Sequence, residues 1–252
     1  LGRRGFSLKW YTAETGAIIS TSGYATHFGV NSADLLTIYA CDIARLAGWE
    51  QHVWAAHNVP PEGKVSRELL ASQIRAQPAS THAVEELLFV SMRKLEKGFE
   101  RKFGAKLFKH QIDDGSAMQQ ISRFHCRDQA SLLRLAKEII RVFSDRLNLL
   151  ELRKLSSHAE KDKLGSNKLL QDVLAKKIGE ERARQVFGPI VGAYDLRVGD
   201  AHPTSSKIGD ALELAGIDES QSYLRQGEQL IHNVGYSVWC IGKLLFEEKG
   251  NP

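Results

Sequence analysis

Several of the residue types and motifs that mark common protein classes are scarce or missing in this chain. It has three cysteines in 252 residues, namely Cys41, Cys126 and Cys240, and none has a partner at the C-x-x-C spacing of metal or redox sites. That argues against a disulfide scaffold. Free thiols acting as small core residues in a reducing, cytoplasmic compartment are the expectation. No apolar run approaches the roughly 20 residues that a membrane-spanning helix needs, and no charged start followed by an apolar stretch marks a signal peptide. H-E-x-x-H, zinc-spaced Cys/His pairs and EF-hand loops are missing, so no metal is expected. The glycines form neither a P-loop nor G-x-G-x-x-G, and no G-x-S-x-G elbow occurs. No cofactor is therefore expected. The chain begins at Leu1 rather than Met, which suggests part of a larger protein, with a regulatory role for an enzyme upstream among the options.

What is present is ordinary globular material: 42% hydrophobic, 25% charged, and a formal net charge of +4. A mildly basic balance permits contact with nucleic acid without requiring it. The opening segment is β-prone. Runs from Phe6 and from Ala17 flank Glu14-Thr-Gly, a hairpin turn, and His27-Phe-Gly-Val is a third extended piece. Asn31 reads as the cap of a helix carrying Leu35, Ile38, Tyr39 and Ile43 at helical spacing. A short aromatic helix around Trp49 and Trp54 ends at Pro60-Pro61, its tryptophans more suited to core packing than to base stacking. Ser66 caps another. From about Thr81, the stripe Val84, Leu88, Met92, Leu95 and Phe99 predicts a long helix closed by Gly104.

The second half is more uniformly helical. Apolar spacing predicts helices over Ala130 to Leu147, Leu169 to Ile178 and Tyr223 to Phe246. Ser156 to Lys163 is a polar loop. Gly188-Pro189 breaks the pattern, and Pro189 suits the first position of a new helix running to about Ala201. Thr204 and its neighbouring serines then cap a helix through Leu214. The fold class implied is mainly α: a helical bundle over residues 113–252, preceded by a mixed region, 1–112, with a small β-hairpin and helices.

The segment richest in chemistry is Tyr194-Asp-Leu-Arg197-Val-Gly-Asp200-Ala-His202-Pro. An arginine followed by histidine after four to six residues also occurs at Arg45/His52, Arg75/His82, Arg153/His158 and Arg225/His232. Context singles out Arg197/His202, through the apolar helix before it, the flanking Leu196 and Ala201, and Pro203 after it. On a straight helix, residues five apart lie about 140° from each other. The pair converges only if the helix ends, and Pro203 disfavours the helical conformation at His202. A histidine at a helix C-terminus has its protonated form favoured by the macrodipole. An arginine nearby supplies paired donors for a phosphate. The plain structural alternative has His202 capping helix carbonyls and Arg197 pairing with Asp195, Asp200 or a distant acid.

Leu196, Arg197, Ala201 and His202 resemble the signature of the HEPN superfamily, helical-bundle proteins frequent among RNA-cleaving toxins and antiviral defence. The resemblance covers the C-terminal half. It departs at Val198, where the family often has a polar residue, and Asp200 is the candidate substitute. It implies a metal-independent endoribonuclease with Arg197, His202 and Asp200 in the site. It also implies a homodimer, or a subunit of a larger assembly, because one histidine does not serve as acid and base in a concerted step. RNA is the expected partner. Arg93, Lys97 and Arg101, spaced four apart on one helix stripe, are candidates for tracking its backbone. The reading from a different class is a catalytically silent helical interaction or nucleic-acid-binding module.

Overall fold

A computed structural model describes residues 6–77, 79–110, 119–158, 161–199 and 205–246. The chain is mainly helical with an N-terminal antiparallel sheet, and it divides into two compact units, Leu1–Ala83 and Val84–Pro252. The boundary falls short of residue 112 for a physical reason. The helix beginning at Val84 buries its apolar stripe in the core of the second unit.

In the first unit, strands β1 (Ser7–Trp10), β2 (Thr15–Ile19), β3 (Ala25–Val30) and β4 (Leu36–Ile38) form one sheet in chain order. Trp10, Gly16 and Phe28 are aligned across it. A Cβ at Gly16 would lie 2.7 Å from the Phe28 ring, and its absence lets Trp10 and Phe28 meet edge to face, 5.4 Å apart. The segment after Asn31, expected as a helix, forms a hairpin instead. The Asn31 side-chain oxygen accepts from the amides of Ala33 (2.9 Å) and Leu35 (3.0 Å), while Asp34 takes φ 60°. Asn31 thus closes a turn with the same acceptor that would have capped a helix. Helices α1 (Ala40–Ile43), α2 (Gly48–Ala56) and α3 (Arg67–Ile74) complete the unit. Ser66 caps α3 by accepting from Leu69 N, and its hydroxyl donates to Glu14 Oε2 at 2.8 Å, tying the β1–β2 turn to α3. Trp49 is 44% exposed with its ring edge-on to Phe6, so it is not the core residue its helix suggests.

In the second unit, α4 (Val84–Phe103) packs along α10 (Tyr223–Phe246). Between them in sequence lie α5 (Gln129–Val142), α6 (Leu149–Leu155), α7 (Ser166–Ile178), α8 (Glu180–Gly199) and α9 (Ser205–Ala215). Their apolar stripes form one core, in which Leu88, Phe99, Ile139, Ile190, Leu196, Leu230 and Val238 are fully buried. Asp128 caps the start of α5, its carboxylate accepting from Ser131 N at 2.8 Å. That hydrogen bonding with Ser131 also holds the Asp128 carboxyl below its usual range.

Pro189 does not begin a helix: α8 runs unbroken from Glu180 to Gly199 with the proline inside. Proline lacks the N–H that would serve the carbonyl four residues earlier. Packing overrides this local cost, because α8 touches α5, α7, α9 and α10. Gly192 allows the closest approach, as a Cβ there would fall 2.4 Å from Ala215 N. The Ser237 hydroxyl on α10 also donates to the Val186 carbonyl, one turn before Pro189.

Among the described residues of this unit, the charged side chains of Arg123 and Glu85 are buried together. The Arg123 side chain is 1% exposed; its Nε and Nη2 donate to Glu85 at 3.0 and 2.8 Å, and its Nη1 donates to Glu228 at 2.6 Å. Of the cysteines, Cys126 alone is buried, and burial pushes its thiol up to about 12. Cys41 is exposed and Cys240 half-buried, so two of the three do not behave as core residues.

Removing Arg123 strands the Glu85 carboxylate in the core. Arg123→Ala is expected to lower unfolding free energy by about 3–5 kcal/mol in urea titration. Arg141→Ala, which deletes the exposed Arg141–Glu138 pair, is expected to cost about 1 kcal/mol or less. Equal costs would contradict this assignment.

Candidate functional site

Arg197 stands in the last turn of α8. One face of that helix is committed to the core by Ile190, Ala193 and Leu196, each fully buried, and this fixes where the next residue emerges. Arg197 is half-exposed beside the turn that follows α5. That turn, a 3-10 helix over Ser144–Arg146, is anchored on both sides. The Ser166 hydroxyl at the start of α7 donates to the Ser144 carbonyl at 3.0 Å. Leu147 bridges to Phe108, with Lys109 N donating to the Arg146 carbonyl at 2.9 Å.

From this anchored turn Asp145 reaches Arg197. Nη1 of Arg197 donates to both carboxylate oxygens at 2.8 Å. The hydrogen bonds to Asp145 raise the Arg197 pKa above its ordinary value. Both use Nη1, so the Nε–Nη2 edge of the guanidinium takes no part in this pair. The Tyr194 ring lies 5.9 Å from the guanidinium carbon, within cation–π range. Chemically this is a permanent cation of fixed orientation at a helix end, with one edge held by a carboxylate and one edge suited to a phosphate.

The residues expected to join Arg197 fare differently. Asp200 and His202 lie outside the described residues. Asp195, a possible partner of Arg197, is not the one it uses; burial raises the Asp195 carboxyl pKa above its ordinary value. Asp145, 52 residues away in sequence, carries no motif or spacing that links it to Arg197, and only the packing of α5 against α8 reveals it. Arg93, Lys97 and Arg101 are all exposed on α4, opposite the buried Leu88, Met92, Leu95 and Phe99. They form a solvated stripe, and the Arg197 pair involves none of them.

An open groove of about 950 Å³ lies between α8, α9 and α10, lined in part by Arg184, Gly188, Pro189, Asp210, Leu214 and Tyr236. Gly188 and Arg197 are nine residues apart, which puts them about 180° from each other around a regular helix. The groove and the arginine therefore occupy opposite sides of α8, and they do not form one site. Among the described residues no helix is long and apolar enough to cross a membrane.

No family model, no curated protein and no solved structure matches the chain.

The Arg197–Asp145 pair is solvent-accessible, with side chains 32% and 43% exposed. Such pairs contribute little to folding. Asp145→Ala is expected to change unfolding free energy by about 1 kcal/mol or less in urea titration, which leaves a folded protein for functional comparison. A loss as large as that of Arg123→Ala would mean that the pair is a structural strut.

Proposed function

We propose that the second unit is a HEPN-like domain of an RNA-targeting or antiviral-defence protein, and that it cleaves RNA without a metal as a homodimer. The observation that carries the reading is the placement of Arg197: last turn of α8, half-exposed, one edge of its fork held by Asp145. After three intervening residues come Ala201 and His202, which together with Leu196 and Arg197 resemble the superfamily signature.

In the proposed reaction a base removes the proton from a ribose 2′-hydroxyl, and that oxygen attacks the adjacent phosphorus. The 5′-oxygen leaves with a proton from an acid, giving a 2′,3′-cyclic phosphate. Arg197 offsets the charge that builds on the phosphorane. His202 and His202 of the partner subunit divide the base and acid roles. Asp145 restrains the Arg197 fork, reducing the ordering that the transition state must supply.

A catalytically silent helical interaction or nucleic-acid-binding module is favoured by the same ion pair read differently. An arginine whose task is to join α8 to the turn after α5 needs no substrate.

Incubating the protein with mixed RNA in EDTA separates the two. The proposed activity gives fragments ending in cyclic phosphate, and Arg197→Ala and His202→Ala each reduce the rate by about a hundredfold or more. Full activity in either folded variant removes that residue from the site. A wild-type dimer that leaves RNA intact supports the silent module.

A further inference from the structure

We infer that the groove between α8, α9 and α10 is a docking site for a short basic segment of a partner protein, one that carries a large apolar side chain between lysines or arginines. This goes beyond the proposed cleavage and does not rest on it, because the groove lies on the side of α8 away from Arg197. Two large apolar side chains stand exposed among the lining residues, Leu214 of α9 at 44% and Tyr236 of α10 at 51%. Gly188 of α8 keeps the space beside Leu214 open, since a Cβ there would lie 3.5 Å from Leu214 Cδ1.

The charge of the groove is one-sided. Asp210 and Glu213 are exposed about one turn apart on α9, and neither has an ion-pair partner among the described residues. Arg184 is the cation among the lining residues, and Glu180, one turn earlier on α8, pairs with it at 3.5 Å. Ala215 and Gly216, where α9 ends, also line the groove, and a helix C-terminus carries the negative pole of the helix. The Asn233 amide already donates to the carbonyls of both, at 3.0 and 2.8 Å, so it is committed to closing α9. Pro189 has no N–H for the carbonyl of Gln185, four residues earlier, and Gln185 lines the groove as well.

That combination selects the partner by its chemistry. Free carboxylates, a helix C-terminus and a carbonyl without its helical donor favour a cation, while Leu214 and Tyr236 favour apolar surface beside it. A polyamine would neutralise Asp210 and Glu213 but leave both apolar side chains in water. A nucleic-acid strand would bring its phosphates against the two carboxylates. A peptide with an apolar side chain between basic ones meets both parts of the surface at once. From Asp210 to Gly216 the α9 wall rises about 9 Å, the length of about three extended residues. One apolar anchor with a basic residue on either side fits that span.

The test uses fluorescence anisotropy with the full chain and a labelled peptide of about eight residues, in which leucine and phenylalanine stand between two pairs of lysines. Wild type is expected to bind it with micromolar affinity. Replacing the apolar pair by serine, or the lysines by glutamate, should weaken binding about tenfold or more. Tyr236→Ala and the double change Asp210→Asn, Glu213→Gln should each weaken it about tenfold, and Tyr236→Phe should retain it. Glu100→Gln, which removes an exposed acid on α4, should bind as wild type does, and so should Arg197→Ala. Circular dichroism checks that each variant is folded. No wild-type binding at low salt, or unchanged affinity in Tyr236→Ala and in the double variant, overturns the inference. So does equal affinity for the serine peptide, or displacement of the peptide by spermine at matching concentration, either of which would reassign the groove to a simple cation. Loss of binding in Arg197→Ala also overturns it. The cleavage reading fails by different results, in the EDTA assay, so the two are separable.

Discussion

Arg123 brings a full positive charge into the core of the helical unit, where it meets Glu85 through two parallel hydrogen bonds and Glu228 through a third. Its own backbone N–H also donates to Glu85, at 3.1 Å. Glu85 lies in the first turn of α4, Glu228 lies in α10, and Arg123 occupies the short turn before α5. One guanidinium therefore fixes three segments that are far apart in sequence. Apolar stripes can slide by a turn with little loss of burial. A buried arginine with two carboxylate partners has far fewer satisfactory arrangements. Of the α4–α10 pair that this arginine aligns, α10 is the member against which α8, the helix bearing Arg197, packs.

Much of this architecture is legible in the residues. The stripe from Leu88 to Phe99 predicts α4, and Gly104, at φ 66°, ends it as a glycine past a helix should. Ser66 caps α3 as its position suggests. Two of the local misreadings, at Asn31 and Pro189, share a physical origin. Asn31 offers an acceptor that serves a helix cap or a tight turn equally well. Pro189 carries a local penalty that the packing around Gly192 outweighs. In both cases neighbours distant in sequence decide the outcome, and a local pattern does not contain them.

The candidate site divides the same way. Arg197 is conspicuous in sequence because Leu196, Ala201, His202 and Pro203 surround it. Asp145 is not, since its relation to Arg197 exists only once α5 and α8 have packed. Glu85 and Arg123 are equally silent as letters, being 38 residues apart with nothing periodic between them. Contacts of this kind define charge geometry, so the electrostatics of the site are the part least open to reading from sequence. They alter its chemistry too. A lone arginine at a helix end would be a mobile cation, whereas Arg197 held through Nη1 by both oxygens of Asp145 has a preferred orientation.

If Asp145 acts through Arg197, the two residues form one functional unit and their effects do not add. Single-turnover RNA cleavage in EDTA by wild type, Asp145→Ala, Arg197→Ala and the double variant measures this directly. The account predicts that both single changes slow cleavage and that the double variant is no slower than Arg197→Ala alone. Rate losses that multiply in the double variant would contradict it, as would full activity in Arg197→Ala.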